Sequence, residues 1–219
     1  MIIAIDGPVG VGKSTVARAA AEKLGFLHID TGAMYRVLAW RCLQDGKPPD
    51  DSDAMTELAE QTTIRFENSE KKLRVFCGET EVTEPIRDPE VTAIVSQVSA
   101  HPGLRDIVVK HQREMGRAGN VVMEGRDIGT VVFPDAEIKI YLDGDLDIRA
   151  QRRAQDFKAS GVPYTVDDIK KSIAERDRKD KSRETSPLKV ADGATILDTT
   201  KLTVDEVVAR IVQFAQDRS

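Results

Sequence analysis

The run Gly7-x4-Gly12-Lys13-Ser14 restricts this chain more than any other feature. It is a phosphate-binding pattern, and it works only where a strand leads into a glycine-rich turn and a helix leads out. The flanking residues supply both. Ile2 to Asp6 is a short apolar run that reads as a buried parallel strand. Thr15 to Leu24 has helical spacing and strong helix formers, and stops at Gly25. Gly7, Pro8, Val9, Gly10, Val11 and Gly12 can then curl so that backbone N–H groups face the phosphates of a nucleoside triphosphate, with the start of the helix, through Thr15, presenting its N-terminus to the anion. Lys13 reaches the β- and γ-phosphates, and the Ser14 hydroxyl is a candidate ligand for Mg²⁺.

The rest of the chain continues the strand–helix rhythm. Phe26 to Asp30, Asn120 to Glu124, Glu137 to Leu142 and Ala194 to Asp198 read as further core strands. Met34 to Leu43, Asp147 to Ala159, Val166 to Arg178 and Val204 to Gln216 read as helices. The third of these is capped at Thr165 or Val166, and Asp167-Asp168 follow the cap. Val91 to Gly116 is helical, with Pro102 as a break or first-turn residue. This alternation predicts an α/β fold with a five-stranded parallel sheet and flanking helices. Ile64 to Thr83 departs from the rhythm. Its β-rich pieces Ile64–Phe66, Leu73–Phe76 and Thr80–Val82, with turns at Asn68–Glu70 and Gly78–Glu79, predict a small antiparallel insert.

Composition narrows the partners. The 219 residues are 40% hydrophobic and 32% charged, as in an ordinary enzyme, and the net charge of -5 offers no general basic face for nucleic acid. No signal-peptide pattern and no run near the roughly 20 apolar residues of a membrane span is present. Cys42 and Cys77 lack metal-ligand spacing and read as reduced packing residues. The expectation is a cytoplasmic, monomeric protein with small-molecule substrates, no nucleic acid and no membrane.

A phosphate loop alone does not name a reaction. The Asn-Lys-x-Asp that reads guanine in small GTPases is absent. Two other segments follow strands on the ligand side of such a sheet, Asp30-Thr31-Gly32-Ala33-Met34-Tyr35-Arg36 and Glu124-Gly125-Arg126-Asp127-Ile128-Gly129-Thr130. Basic clusters follow at Arg149, Arg152 and Arg153 and at Arg176 to Arg183. Phosphoryl transfer between two nucleotides needs cations on both phosphates, and the arginine fork binds phosphate bidentately. The same arginines also suit a solvated, ion-paired helix face. Other small-molecule kinases and a regulatory nucleotide-binding module remain alternatives at this point.

Taken together, IDGPVGVGKST, DTGAMYR, EGRDIGTVVFPDA with KIYLD, and ERDRKDKSR resemble the bacterial-type cytidylate kinases over essentially the whole chain. The resemblance implies transfer of phosphate from ATP to CMP or dCMP with Mg²⁺. It implies one nucleoside monophosphate kinase domain over 1–219, with a nucleotide-monophosphate-binding insert at about 62–90 and a helical lid at about 149–181. It implies Lys13, Arg126, Arg152 and Arg153 as the catalytic set. Residue by residue it implies Thr31, Tyr35 and Arg36 near the acceptor, Arg36 on its phosphate with Arg126 assisting, and Ser96 and Asp127 on the cytosine amine. Arg105 and Arg183 would contact cytosine O2 and N3, and Arg176 and Asp180 the sugar. Glu124 stands where many members have Asp, and Thr31 where others have Ser; both changes preserve the chemistry. His28, His101 and His111 match no motif.

Overall fold

In chain order the elements are β1 (Ile2–Asp6), α1 (Lys13–Leu24), β2 (Leu27–Asp30), α2 (Thr31–Gln44), α3 (Ser52–Gln61), β3 (Ile64–Asn68), β4 (Leu73–Cys77), β5 (Thr80–Glu81), α4 (Pro89–Val98), α5 (Pro102–Gly116), β6 (Val121–Gly125), β7 (Ile138–Asp143), α6 (Leu146–Ser160), α7 (Val166–Ser182), β8 (Thr195–Asp198) and α8 (Val204–Gln216). The structure, a computed structural model, describes residues 1–68, 73–117, 119–160 and 165–218. It divides into two units, Met1–His28 with Ala118–Ser219, and Ile29–Arg117.

The first unit is built on the predicted parallel sheet, in the order β2-β6-β1-β7-β8. Its central strand β1 is paired on both edges, with β6 and with β7, and is apolar from Ile2 to Ile5 before ending in Asp6. The register sets Ile5 opposite Glu124 and Asp6 opposite Gly125 and Tyr141. The carboxyl ends of the three strands are therefore level, which is where such sheets bind ligands. Helices α1 and α8 cover the strands through Val16, Ala20, Val207, Val208 and Ile211 against Ile3, Ile5, Val122 and Ile140. Helices α6 and α7 pack through Ala150, Ile169 and Ile173 on Val9 of the phosphate loop.

The second unit carries the antiparallel sheet, in the order β3-β4-β5, with Ile64 opposite Cys77 and Phe66 opposite Val75. Its helical core joins Met34 and Leu38 of α2, Met55 and Leu58 of α3, Val91 and Val95 of α4, and Leu104 and Val108 of α5.

Several boundaries moved for local reasons. Helix α2 starts at Thr31 rather than Met34, because the Asp30 carboxylate accepts from Ala33 N at 3.0 Å and caps it there. Helix α7 runs four residues past Arg178, and Asp177 and Asp180 are buried on it. The 91–116 stretch is two helices, with Pro102 in the first turn of the second. Helix α3 was not anticipated; Asp51 caps it, and Met55, Leu58 and Ala59 form its buried stripe. The turn expected at Asn68–Glu70 and the lid expected at about 149–181 fall partly outside the described residues. Among the described residues no helix is long and apolar enough to cross a membrane.

Candidate active site

The phosphate loop joins β1 to α1 as expected. Gly7 has φ 153°, and a Cβ there would lie 2.3 Å from the Leu142 carbonyl oxygen of the neighbouring strand, so only glycine permits this approach. The loop backbone is held from two helices. Asp177 of α7 accepts from Val9 N at 3.0 Å. Arg149 of α6 donates to the Val9 carbonyl at 2.9 Å and to Asp177 at 2.6 Å. Both side chains are nearly buried. Arg149 thus braces the loop, and its partner Asp177 went unnoticed in the sequence because it sits inside a run of alternating charges.

Lys13 lies across the loop, with Nζ donating to the Pro8 carbonyl at 2.6 Å. Burial pushes its pKa well below the usual lysine range, and Arg126 pushes it the same way; Glu124, Asp180 and Asp6 oppose them. Ser14 and Thr15 are exposed at the start of α1.

Four residues assigned to the acceptor come together in the first unit. Arg126 Nε donates to Asp180 at 2.9 Å, and Arg183 lies 4.0 Å from the other oxygen of that carboxylate. Burial would raise the Asp180 pKa, but Arg126, Arg183 and Arg176 outweigh it and hold it below the ordinary carboxylate value. Asp127, 3% exposed, follows Arg126 and opens a π-helical turn at Ile128–Val132. Arg152 points elsewhere: it donates to the Thr199 hydroxyl at 3.0 Å and to the Thr199 carbonyl at 2.7 Å. Arg153 is half-buried on the same helix.

The second unit holds the other assigned residues. Thr31 and Tyr35 are buried in α2. The Arg105 guanidinium, 1% exposed, lies 4.9 Å from the Tyr35 ring centroid and donates to the Ser99 carbonyl at 2.9 Å. Arg36 donates to the Ile86 carbonyl at 3.1 Å and to the Thr92 hydroxyl at 2.9 Å. Ser96 is half-buried on α4.

Three further polar groups lie at the strand ends. Asp6, the last residue of β1, accepts from the backbone N–H groups of Ile128 and Gly129, both at 2.8 Å. Glu124 and His28 form a buried pair at 3.2 Å. Glu124 was visible in the sequence at the head of its strand-end segment and Asp6 only through its position directly before the loop, whereas His28 matched no motif.

The comparisons with known proteins bear on the fold and the family. A shikimate kinase from Bacteroides thetaiotaomicron superposes with a TM-score of 0.50 at 13% identity, covering 99% of this chain and 98% of that one, which shows the fold alone. A bifunctional pantoate ligase/cytidylate kinase from Synechococcus sp. (strain JA-3-3Ab) is 48% identical over 97% of this chain, and the chain spans 40% of that protein's length. A cytidylate kinase from Geobacillus sp. (strain WCH70) is 46% identical over 99% of this chain and 96% of its own. The cytidylate kinase family model matches residues 3–217. A match that spans both units and nearly the full length of the Geobacillus relative places this chain in the cytidylate kinase family.

Proposed function

We propose that this chain transfers the γ-phosphoryl group of ATP to CMP or dCMP, giving ADP and CDP or dCDP. The observation that carries this reading is the register of β1 with β6, which sets Asp6, directly before the donor loop, beside Gly125, directly before Arg126. Lys13 also feels the charges of Arg126, Glu124 and Asp180, which supports a donor cation and an acceptor cation serving one site. Two phosphates brought against these cations would neutralise the repulsion between them. Phosphoryl transfer is mostly positioning and cationic stabilisation of this kind.

In this reading residues Gly7 to Thr15 hold ATP, with Lys13 on the transferring phosphate. Thr31, Tyr35, Arg36, Ser96, Arg105, Arg126, Asp127, Arg176, Asp180 and Arg183 bind the acceptor. Arg36 and Arg126 orient its phosphate. Arg152 would have to leave Thr199 to join Arg153 over the donor. No strong general base is required, because the acceptor phosphate is already anionic. Asp127 explains the base preference: cytosine offers an amine donor at C4, whereas uracil offers an oxygen acceptor. A buried acceptor facing the wrong base would stay unsatisfied, and such sites discriminate strongly.

Ser14 suits Mg²⁺. Its hydroxyl is exposed at the head of α1, and this ion keeps several waters and binds through one or two protein oxygens plus substrate phosphates. When bound, the ion supplies positive charge to the β- and γ-phosphate oxygens. We further propose one kinase domain over 1–219, with the insert at about 62–90 and the lid at about 149–181, acting as a cytoplasmic monomer.

A coupled assay of ADP release across CMP, dCMP, UMP, AMP, GMP and shikimate tests the activity. CMP and dCMP should be the best acceptors and UMP weaker. AMP or shikimate as the best acceptor would overturn the reading.

A further inference from the structure

Asp6 takes no part in the phosphate pattern, yet it is among the most constrained polar side chains of the first unit. It is 3% exposed at the end of the central strand. A carboxylate at that depth needs partners, and both of its oxygens are used. Oδ1 accepts from Ile128 N and Oδ2 from Gly129 N, each at 2.8 Å. These are the first two N–H groups of the Ile128–Val132 turn, and the first N–H groups of a helical turn have no partner within it. One carboxylate therefore caps two consecutive peptides, while the Asp127 carbonyl closes the turn by accepting from Val131 N at 2.8 Å and Val132 N at 3.2 Å.

The fit around this clamp is close. A Cβ on Gly129 would lie 3.2 Å from Ala191 Cβ and from Lys139 Cδ, and 3.4 Å from Asp6 Oδ2. Little room is left beside Gly129, and the two bonds from Ile128 N and Gly129 N to Asp6 hold the peptides that follow Arg126 and Asp127 at the end of β1. Asp6 is also bonded directly to Gly7, the first residue of the phosphate loop. A single side chain thus ties the start of the donor loop to the segment carrying Arg126 and Asp127.

We propose that Asp6 is a positioning residue for the acceptor, holding Arg126 and Asp127 in the geometry that orients the CMP phosphate and reads cytosine, without touching substrate itself. This rests on the assignment of Arg126 and Asp127 to the acceptor. Asp6→Asn keeps the side chain's shape but turns an amide N–H toward one of the two backbone N–H groups, so one bond is lost and one donor is left unpaired.

The test measures binding of CMP and of an inert ATP analogue by calorimetry, and kcat/KM for CMP and UMP, in Asp6→Asn, Gly129→Ala and Asp127→Ala. Asp6→Asn should weaken CMP binding about tenfold or more, the effect of losing a bond to a charged group, and Gly129→Ala, whose Cβ crowds Ala191 and Lys139, should weaken it in the same direction. ATP-analogue affinity should stay within about twofold, and the CMP-to-UMP ratio of kcat/KM should fall at least about threefold. A purely structural role for Asp6 would not move that ratio. Gly129→Ala displaces the turn from the other side and stands in if Asp6→Asn does not fold. If Asp127→Ala leaves CMP binding intact, the acceptor assignment fails and this inference falls with it. If Asp127→Ala loses CMP while both clamp variants keep it, or lose CMP and ATP analogue equally, the inference on Asp6 is overturned and the assignment stands.

Discussion

Replacing Asp177 by Ala tests whether the phosphate loop is held by α6 and α7 or merely lies beside them. Asp177 Oδ1 accepts from Val9 N, and Oδ2 accepts from Arg149 Nη1 at 2.6 Å. The side chains of Arg149 and Asp177 are 9% and 10% exposed. Removing the carboxylate leaves a guanidinium charge and a loop N–H without their partner. Breaking a buried ion pair from one side costs about 3–5 kcal/mol, and an orphaned N–H costs about 1–3 kcal/mol. Arg149 keeps its bonds to the Gly144 and Val9 carbonyls, at 2.9 Å each, so the lower part of the combined range applies. We expect about 4 kcal/mol, which for a chain of this size is a fall in Tm of roughly 8–16 °C. Thermal and urea unfolding of Asp177→Ala measure it. The pair Arg149→Met with Asp177→Leu should recover only the ion-pair part of the loss, since apolar groups can replace a buried ion pair but leave Val9 N and the Val9 and Gly144 carbonyls without these partners. A loss below about 1 kcal/mol in Asp177→Ala would refute the brace.

Lys13→Met should lower kcat at least about a hundredfold, as for loss of one preorganised transition-state donor. Its Tm should stay level or rise, because the substitution removes a buried charge that Arg126 repels; a clear fall in Tm would contradict that. Arg36→Lys should raise the KM for CMP about tenfold with KM for ATP unchanged, because a point charge cannot reproduce a bidentate fork; initial-rate kinetics with each substrate varied separates the two.

The sheet and the donor loop were legible because their signals are local and periodic. β1 and α8 fall on the residues expected from apolar runs and helical spacing. Helix α3 escaped because a ten-residue amphipathic stretch with only three buried side chains gives a weak pattern. The π-helical turn escaped because Val131 N and Val132 N donate to the Asp127 carbonyl and Ile128 N and Gly129 N donate to the Asp6 carboxylate, and no side-chain pattern records these bonds. The arginines were visible as residues but not as roles. Nothing in the spacing of Arg149 and Arg152 says that the first meets Asp177 and the second meets Thr199, for those pairings bridge 28 and 47 positions. Long-range partners of this kind are fixed by the packing of α6, α7 and β8.

Asp6 and Asp180 show how two buried carboxylates of one unit acquire opposite dependence on pH. Burial raises Asp6 from 3.8 to about 6, against the pull of the N–H groups of Gly129 and Ile128 and of Lys13, and with the push of Asp127. The folded chain then holds this proton more tightly than the unfolded chain. Between about pH 4 and 6 the contribution of Asp6 to stability must fall as pH rises, by about 3 kcal/mol for a shift of that size. Asp180 is buried too, but three guanidiniums lower its pKa. Its contribution is therefore complete above the ordinary carboxylate value and is lost as pH falls below about 4. The difference is one of partner charge: dipoles cannot replace full hydration at Asp6, whereas cations more than replace it at Asp180. Urea unfolding of the wild-type chain, Asp6→Asn and Asp180→Asn from pH 3 to 7 reads both terms. Relative to Asp6→Asn, the wild-type chain should lose stability as pH rises toward 6. Relative to Asp180→Asn, it should lose stability only as pH falls below 4. A wild-type chain that loses stability relative to Asp180→Asn as pH rises would mean that the arginines do not act on Asp180 as a compensating charge, and the electrostatic case for an acceptor-phosphate site at Arg126 would fail with them.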